Sequence, residues 1–202
     1  MKKNGKQRLV IVTMTKSRFE KLSKARQRMV VAQDVLDRIA LKQIIPQGGS
    51  FCIINTNDDE SHTENGGMVQ VSELLKETDR KCYACAKGGL FLAYIGIVNN
   101  YSADIFDFHH FHDSQELDSE EMKKLSKVFT PKQLSLIETT FEGKKYSCNL
   151  QLTEKEWDKC NKFHQKYAYE KDDNIFNDYP DRKKVLKAIC NNIIKNNGIF
   201  TL

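Results

Sequence analysis

The chain has 202 residues, of which 40% are hydrophobic and 29% are charged, and its formal net charge is +5. This length favours one domain with its own core, and no apolar run reaches the roughly 20 residues that cross a bilayer. The apolar patch Leu9 to Val12 is too short for a signal peptide, and Lys16 and Arg18 follow it where a cleavage site should lie. We therefore expect a cytoplasmic protein with no membrane segment.

Positive charge is concentrated near the N-terminus. The first 45 residues hold twelve Lys or Arg and three acids, a net charge of +9, so the remaining residues sum to −4. We interpret residues 1–18 as a basic, partly ordered segment with one strand at Arg8 to Thr13. Residues 19–202 are predicted to form a single domain.

A long helix is predicted from about Arg18 to about Ile44, because apolar residues recur there at alternating spacings of three and four. It ends before Pro46, and a Gly-Gly turn leads to a strand at Ser50 to Asn55. The predicted core-facing stripe of this helix consists of Leu22, Ala25, Met29, Ala32, Leu36 and Ile39.

A polar loop at residues 56–68 and a short helix capped by Ser72 precede the most apolar segment, Lys81 to Asn99. We interpret that segment as a helix buried on all sides, because its residues are apolar around nearly the whole circumference. Periodicity leaves a strand open for its second half, but a continuous stripe of small residues favours a helix. The stripe consists of Cys82, Cys85, Ala86, Gly89, Ala93 and Gly96.

Capping residues mark the helices of the C-terminal half. A short helix at about Ser119 to Lys127 follows an acidic, irregular segment at residues 100–121. Thr130, Pro131 and Gln133 indicate the start of the next helix, and Gly143 its end. Two more helices begin at the caps Thr153, with Glu156, and Asp181; the second ends at Gly198, and strands are predicted at Lys145 to Leu152 and in residues 199–202.

These patterns predict a mainly α protein, with a few short strands in an α+β arrangement. The single compact domain is built around the buried helix at about residues 81–98.

The C-x-x-C pair, Cys82 and Cys85, is the first candidate for chemistry. A structural zinc site would need two more ligands, and the available residues, Cys52, His109, His110 and His112, are all distant in sequence. A redox pair should be exposed at the start of a helix that follows a strand. Buried packing against a neighbouring helix is favoured because unpaired thiols are among the most buried side chains. We expect that neighbour to be the helix at residues 19–44.

The six cysteines as a group show irregular spacing, which does not indicate a disulfide framework in a chain of this length. Reduced and mostly buried thiols are expected. The six are Cys52, Cys82, Cys85, Cys148, Cys160 and Cys190.

The segment FHHFH at residues 108–112 contains residue types that bind zinc, iron or nickel. On an extended chain only His110 and His112 share a face, and no H-E-x-x-H spacing is present. A solvated, partly packed loop is the favoured interpretation. The sequence also lacks a nucleophile elbow, a phosphate-binding glycine loop and a dinucleotide fingerprint, which favours a protein that is not an enzyme.

A basic face at the start of the long helix is the second functional candidate. Its density resembles that of a phosphate-contacting surface, although a solvated helix face fits the same pattern. No helix-turn-helix, RNA-binding aromatic pattern or zinc finger accompanies it. The residues of this face are Lys16, Arg18, Lys21, Lys24, Arg26 and Arg28.

The chain resembles a group of small, largely uncharacterised phage and bacterial proteins. The blocks that carry the resemblance are AQDVLDRIALKQ at 32–43, CYACAKGGLFLAYI at 82–95 and TPKQLSLIETTFEG at 130–143. The resemblance implies a mobile-element or accessory context and no particular activity.

The sequence therefore favours a non-enzymatic binding protein of phage or accessory type. Its basic N-terminal face would contact nucleic acid or an acidic host protein. The alternative is a thiol- or zinc-dependent enzyme, or a metal-stabilised domain, centred on Cys82 and Cys85. An oligomerising structural domain is a third possibility.

Overall fold

A computed structural model describes residues 14–49, 51–55, 68–70, 81–98, 102–104, 120–143, 152–169 and 180–202. These ranges contain seven helices and five short strands, which confirms the predicted mainly α fold. None of the described helices is long and apolar enough to cross a membrane. In chain order the elements are α1 (Lys16–Glu20), α2 (Lys24–Ala40), β1 (Ile44–Pro46), β2 (Cys52–Asn55), β3 (Met68–Gln70), β4 (Lys81–Ala84), α3 (Ala86–Val98), β5 (Ser102–Asp104), α4 (Glu120–Leu125), α5 (Pro131–Glu142), α6 (Glu154–Ala168) and α7 (Arg182–Lys195).

Helix α3 lies at the centre of the hydrophobic core. Ten of its residues are buried, and it packs against α1, α2, α4 and α5. Because its side chains are apolar on every face, neighbours on every side are needed to remove them from water. The predicted buried helix is therefore confirmed over Ala86–Val98, and the strand alternative for this part is wrong.

The three-stranded sheet has β4 in the middle, with β1 parallel to it and β2 antiparallel to it. Ile44 pairs with Cys82 on one side, and Ile53 pairs with Tyr83 on the other. Strands β3 and β5 form a separate antiparallel pair: β3 begins at Met68, the last residue of the predicted polar loop, and β5 lies within the predicted irregular acidic segment.

The predicted helix is wrong at its beginning, because Lys81–Ala84 forms strand β4. The backbone of this segment pairs with the flanking strands β1 and β2. In addition, Cys82 N–H donates to the carbonyl of Gln43, the residue before β1, at 2.8 Å. Helix α3 begins only after Cys85, whose Sγ accepts from the Gly88 N–H at 3.4 Å. Cys82 therefore lies on strand β4 and Cys85 lies between β4 and α3, so the two do not share a helical stripe.

The long N-terminal helix is divided into α1 and α2 by a turn at residues 21–23. Ser23 caps α2 by accepting from the Arg26 N–H at 3.4 Å, and Gln27 Nε2 donates to Phe19 O at 3.1 Å across the turn. Helix α2 ends at Ala40, and Ile44 begins strand β1 instead of ending the helix. The buried face of α2 is also rotated from the predicted stripe: it contains Gln27, Val31, Ala32, Val35, Arg38 and Ile39.

The capping predictions of the C-terminal half are largely confirmed. Thr130 caps α5, Thr153 and Glu156 form a complete capping box on α6, and Asp181 caps α7. Gly143 ends α5 with a φ of 63°. The second half of the α5 capping box is not made, because Gln133 Oε1 is buried without a hydrogen-bond partner among the described residues.

The terminal residues 199–202 do not form the predicted strand. Phe200 is buried, and Thr201 is held by Asn192, whose side chain accepts from Thr201 N–H and donates to Thr201 O, both at 2.9 Å. The remaining sequence predictions lie outside the described residues: the strand at Arg8 to Thr13, most of the loop at 56–68, the helix after Ser72, the FHHFH segment and most of the strand at Lys145 to Leu152.

Helices α2 and α7 pack against each other in opposite directions. Gly198, just beyond the end of α7, lies so close to Ala25 at the start of α2 that a Cβ atom there would overlap the Ala25 carbonyl. At the other end, Arg182 at the start of α7 lies beside Gly48, which follows α2 and β1. The two contacts fix which ends of these helices are neighbours.

Gly88 and Gly89 provide a matched test of the packing of α3. A Cβ on Gly88 would overlap the carbonyl oxygen of Phe51, whereas a Cβ on Gly89 would be 3.6 Å from Leu186 Cδ2 and 4.0 Å from Val35 Cγ1. We predict that Gly88→Ala lowers the free energy of unfolding by more than about 3 kcal/mol or prevents folding. Gly89→Ala should be neutral or stabilising by up to about 1 kcal/mol, because alanine favours the helix.

Urea denaturation followed by circular dichroism measures both variants. Equal effects of the two substitutions would show that α3 does not approach Phe51 in this way.

Candidate functional site

The exposed cations of α1, the turn and the first turn of α2 form one surface, which we call the basic corner. Lys16 forms an ion pair with Glu20 at 3.9 Å, and Lys24 donates to Gln27 Oε1 at 3.2 Å. The other members form no ion pair with any described residue. The basic corner consists of Lys16, Arg18, Lys21, Lys24 and Arg26, all of which are exposed.

The basic corner includes the N-terminus of α2, where the backbone already carries partial positive charge. The first turn of α2 contains no acidic residue, although an acid is the stabilising choice at this position. Lys24 and Arg26 there destabilise the free helix by about 0.3–1 kcal/mol each. An anion bound at the corner would offset this repulsion, because free N–H groups and cations would face it together.

Arg28 belongs to the predicted basic face but has a different role in the structure. Its side chain is half-buried, Nη1 donates to Val128 O at 3.0 Å, and Nε donates to Gly198 O. Burial lowers the pKa of the guanidinium, which remains far above neutrality in proteins. Arg28 therefore joins three segments of the fold, and its charge lies next to the exposed cations of the corner.

Cys82 and Cys85 are both buried, with exposed fractions of 1% and 3%, as the sequence predicts. Gly89, in the same segment, faces Val35 of α2, which is the expected contact of this segment with the N-terminal helix. Cys85 lies between a strand and a helix N-terminus, which is the position that a redox thiol would occupy. In this respect the segment matches the thiol-enzyme hypothesis.

The electrostatic environment of Cys85 is unsuited to a reactive thiolate. Burial raises its pKa well above the ordinary value, and the neighbouring carboxylates of Glu138 and Glu142 raise it further. Burial likewise raises the pKa of Cys52, with a smaller contribution from Cys82. A nucleophilic or redox cysteine needs a lowered pKa, which a nearby cation and access to solvent provide.

A partly buried polar cluster around Glu138 and Glu142 was not predicted from the sequence. Glu138 Oε2 accepts from the Lys87 N–H at 3.2 Å, in the first turn of α3. Glu142 accepts from the Gly49 N–H at 3.1 Å and pairs with Arg182 at 3.4 Å. The spacing of four between the two acids on α5 was the available signal, but their partners come from distant segments.

Arg182 and His164 complete the contacts at the C-terminal end of α5. Arg182 donates to Phe141 O and lies over the Phe141 ring at 5.2 Å. His164 Nδ1 lies 2.9 Å from Thr140 O, and burial lowers the pKa of this imidazole. Both side chains bind backbone carbonyls at a helix end, so the cluster joins α5, α6, α7 and the glycine turn.

Of the four metal-ligand candidates, the structure describes only Cys82 and Cys85. His110 and His112 lie outside the described residues. Across the described ranges there is no group of three or more His, Cys, Asp or Glu residues that could hold a metal ion. The structure therefore does not bring Cys82 and Cys85 together with further ligands in those ranges.

Comparisons with protein-family models, with curated proteins and with solved structures find no match to this chain. The resemblance to phage and bacterial proteins stays a prediction.

Thiol labelling of the native protein tests the assignment of the C-x-x-C pair to the core. Because their burial disfavours the thiolate and excludes reagent, Cys82 and Cys85 should react with iodoacetamide at least about tenfold more slowly in the native state than in the unfolded chain. Mass spectrometry of the labelled peptides gives the rate at each cysteine, and the same reaction in guanidinium chloride is the control. Equal native and denatured rates at Cys85 would contradict its burial.

Proposed function

We propose that this protein is a non-enzymatic, cytoplasmic binding protein of phage or bacterial accessory type that contacts double-stranded nucleic acid through its basic corner. The observation that carries the proposal is a cluster of exposed cations, most of them without an ion-pair partner in the described structure, at a helix N-terminus that lacks acids. Such groups contact phosphates irrespective of base sequence.

The composition of the basic corner favours nucleic acid over an acidic protein. Phe19, the aromatic residue of α1, is buried in the core, and Leu22 is half-buried against it. The corner therefore offers charge without the exposed aromatic or apolar centre that is usual in protein interfaces. The same lack of exposed aromatic rings favours backbone contacts to a duplex over stacking with single-stranded bases.

The hydroxyl groups near the corner add hydrogen-bonding capacity. Thr15 caps α1 and Ser23 caps α2, and each hydroxyl oxygen already accepts a backbone N–H. Their O–H groups can still donate, and Ser and Thr are common phosphate ligands. Two helix caps thus hold donors in place between the cations.

The proposal is tested with a fluorescent DNA duplex of mixed sequence and the triple variant Lys21→Gln, Lys24→Gln, Arg26→Gln. Arg28 is left intact because its side chain holds the fold together. Loss of three phosphate contacts should weaken binding on the order of a hundredfold at about 150 mM salt. Each lost contact should also make the negative slope of log K against log salt shallower by about 0.9.

The matched control carries Lys155→Gln, Lys162→Gln and Lys183→Gln, which removes the same charge from exposed positions on α6 and α7. This control should retain most of the binding. Equal losses in the two variants would show that only net charge matters. Failure of the unmodified protein to bind the duplex, with capture of an acidic protein instead, would replace nucleic acid by a protein partner.

A further inference from the structure

Arg28 brings together three segments that are far apart in the sequence. From α2 its guanidinium reaches Val128 O, in the turn after α4, and Gly198 O, just after α7. The close approach of Gly198 to Ala25 fixes the end of α7 against the first turns of α2. The turn after α4 and the end of α7 therefore border the basic corner.

Each of these added segments carries a lysine close in sequence to the backbone carbonyl that Arg28 binds. Lys127 precedes Val128 directly, and Lys195 is in the last turn of α7. Both lysines are exposed, and neither forms an ion pair with a described residue.

We propose that the duplex-binding surface extends from the basic corner across Arg28 to Lys127 and Lys195. We call this the composite basic surface; the inference rests on the proposed function, since it names further contacts of the same site. Lys127 and Lys195 contact phosphates, whereas Arg28 is a positioning residue that holds their backbones against α2. The added contacts raise the number of phosphates that the protein neutralises by two.

A long polyanion fits this arrangement better than a small anion does. A single phosphate group would be satisfied by the N-terminus of α2 and the cations beside it. Cations distributed over three separate elements instead match a ligand with charges repeated along its length. Double-stranded DNA carries one charge per roughly 1.7 Å of its axis, so neighbouring phosphates would reach each element.

The test compares the double variant Lys127→Gln, Lys195→Gln with the double variant Lys183→Gln, Lys187→Gln. Lys183 and Lys187 lie in the first half of α7, which begins beside Gly48, so the control removes equal charge from the half of the helix that is farther from Gly198 and Arg28. Glutamine has nearly the helix propensity of lysine, so both variants should fold. Circular dichroism checks this before duplex binding is measured at several salt concentrations.

We expect the Lys127→Gln, Lys195→Gln variant to bind the duplex about tenfold more weakly at about 150 mM salt. The slope of log K against log salt should become shallower by about 0.9 for each lysine that is replaced. The control should keep the slope of the unmodified protein. If the basic-corner variant weakens binding while the Lys127 and Lys195 variant behaves as the control does, the extension is wrong and the proposed function stands. If the unmodified protein binds no duplex, both proposals are overturned.

Discussion

The burial of α3 on all sides is the constraint on which the rest of the structure depends. A helix of thirteen residues of which ten are buried can only be stable if other elements cover its whole circumference. Helices α1, α2, α4 and α5 provide most of that cover. The middle strand of the three-stranded sheet, β4, directly precedes α3 in the chain. The order of the elements around α3 in turn decides which charged residues are left at the surface.

The start of α3 explains why the C-x-x-C pair is a structural feature. Gly88 lies against the Phe51 carbonyl, Cys85 Sγ accepts from the Gly88 N–H, and Glu138 accepts from the Lys87 N–H. The last two contacts satisfy the N–H groups of Gly88 and Lys87 in the first turn of the helix. Burial raises the pKa of the Cys85 thiol, and the nearby Glu138 carboxylate raises it further, so the surroundings that stabilise α3 make a reactive thiolate unfavourable.

Local signals in the sequence predicted much of this fold. Thr130, Thr153 and Asp181 begin helices because a side-chain oxygen next to an apolar periodic segment satisfies a nearby N–H. The β4 strand could not be predicted in this way, because its partners β1 and β2 come from other parts of the chain. The rotated face of α2 has the same cause, since the position of α3 and α7 determines which residues are buried.

Part of the candidate site was also predicted, because that part is formed by residues that are close in sequence. The cations of the basic corner are close in sequence, so their density was visible without a structure. The inward orientation of Arg28, and the closeness of Val128 and Gly198 to it, depend on contacts between residues that are 100 and 170 positions apart. Charge patterns along the chain cannot show such contacts, and a surface assembled from three segments needs the folded arrangement.

The C-x-x-C segment is buried in the core, and the binding that we propose takes place on the composite basic surface. Amide hydrogen exchange, measured with and without a DNA duplex, tests both the burial of this segment and the proposed binding surface. The account predicts that amides in Leu90–Ile95 exchange only through global unfolding, and that the duplex slows exchange around residues 14–28, 126–128 and 195–198. Rapid exchange in α3, or duplex protection centred on residues 82–88, would contradict it.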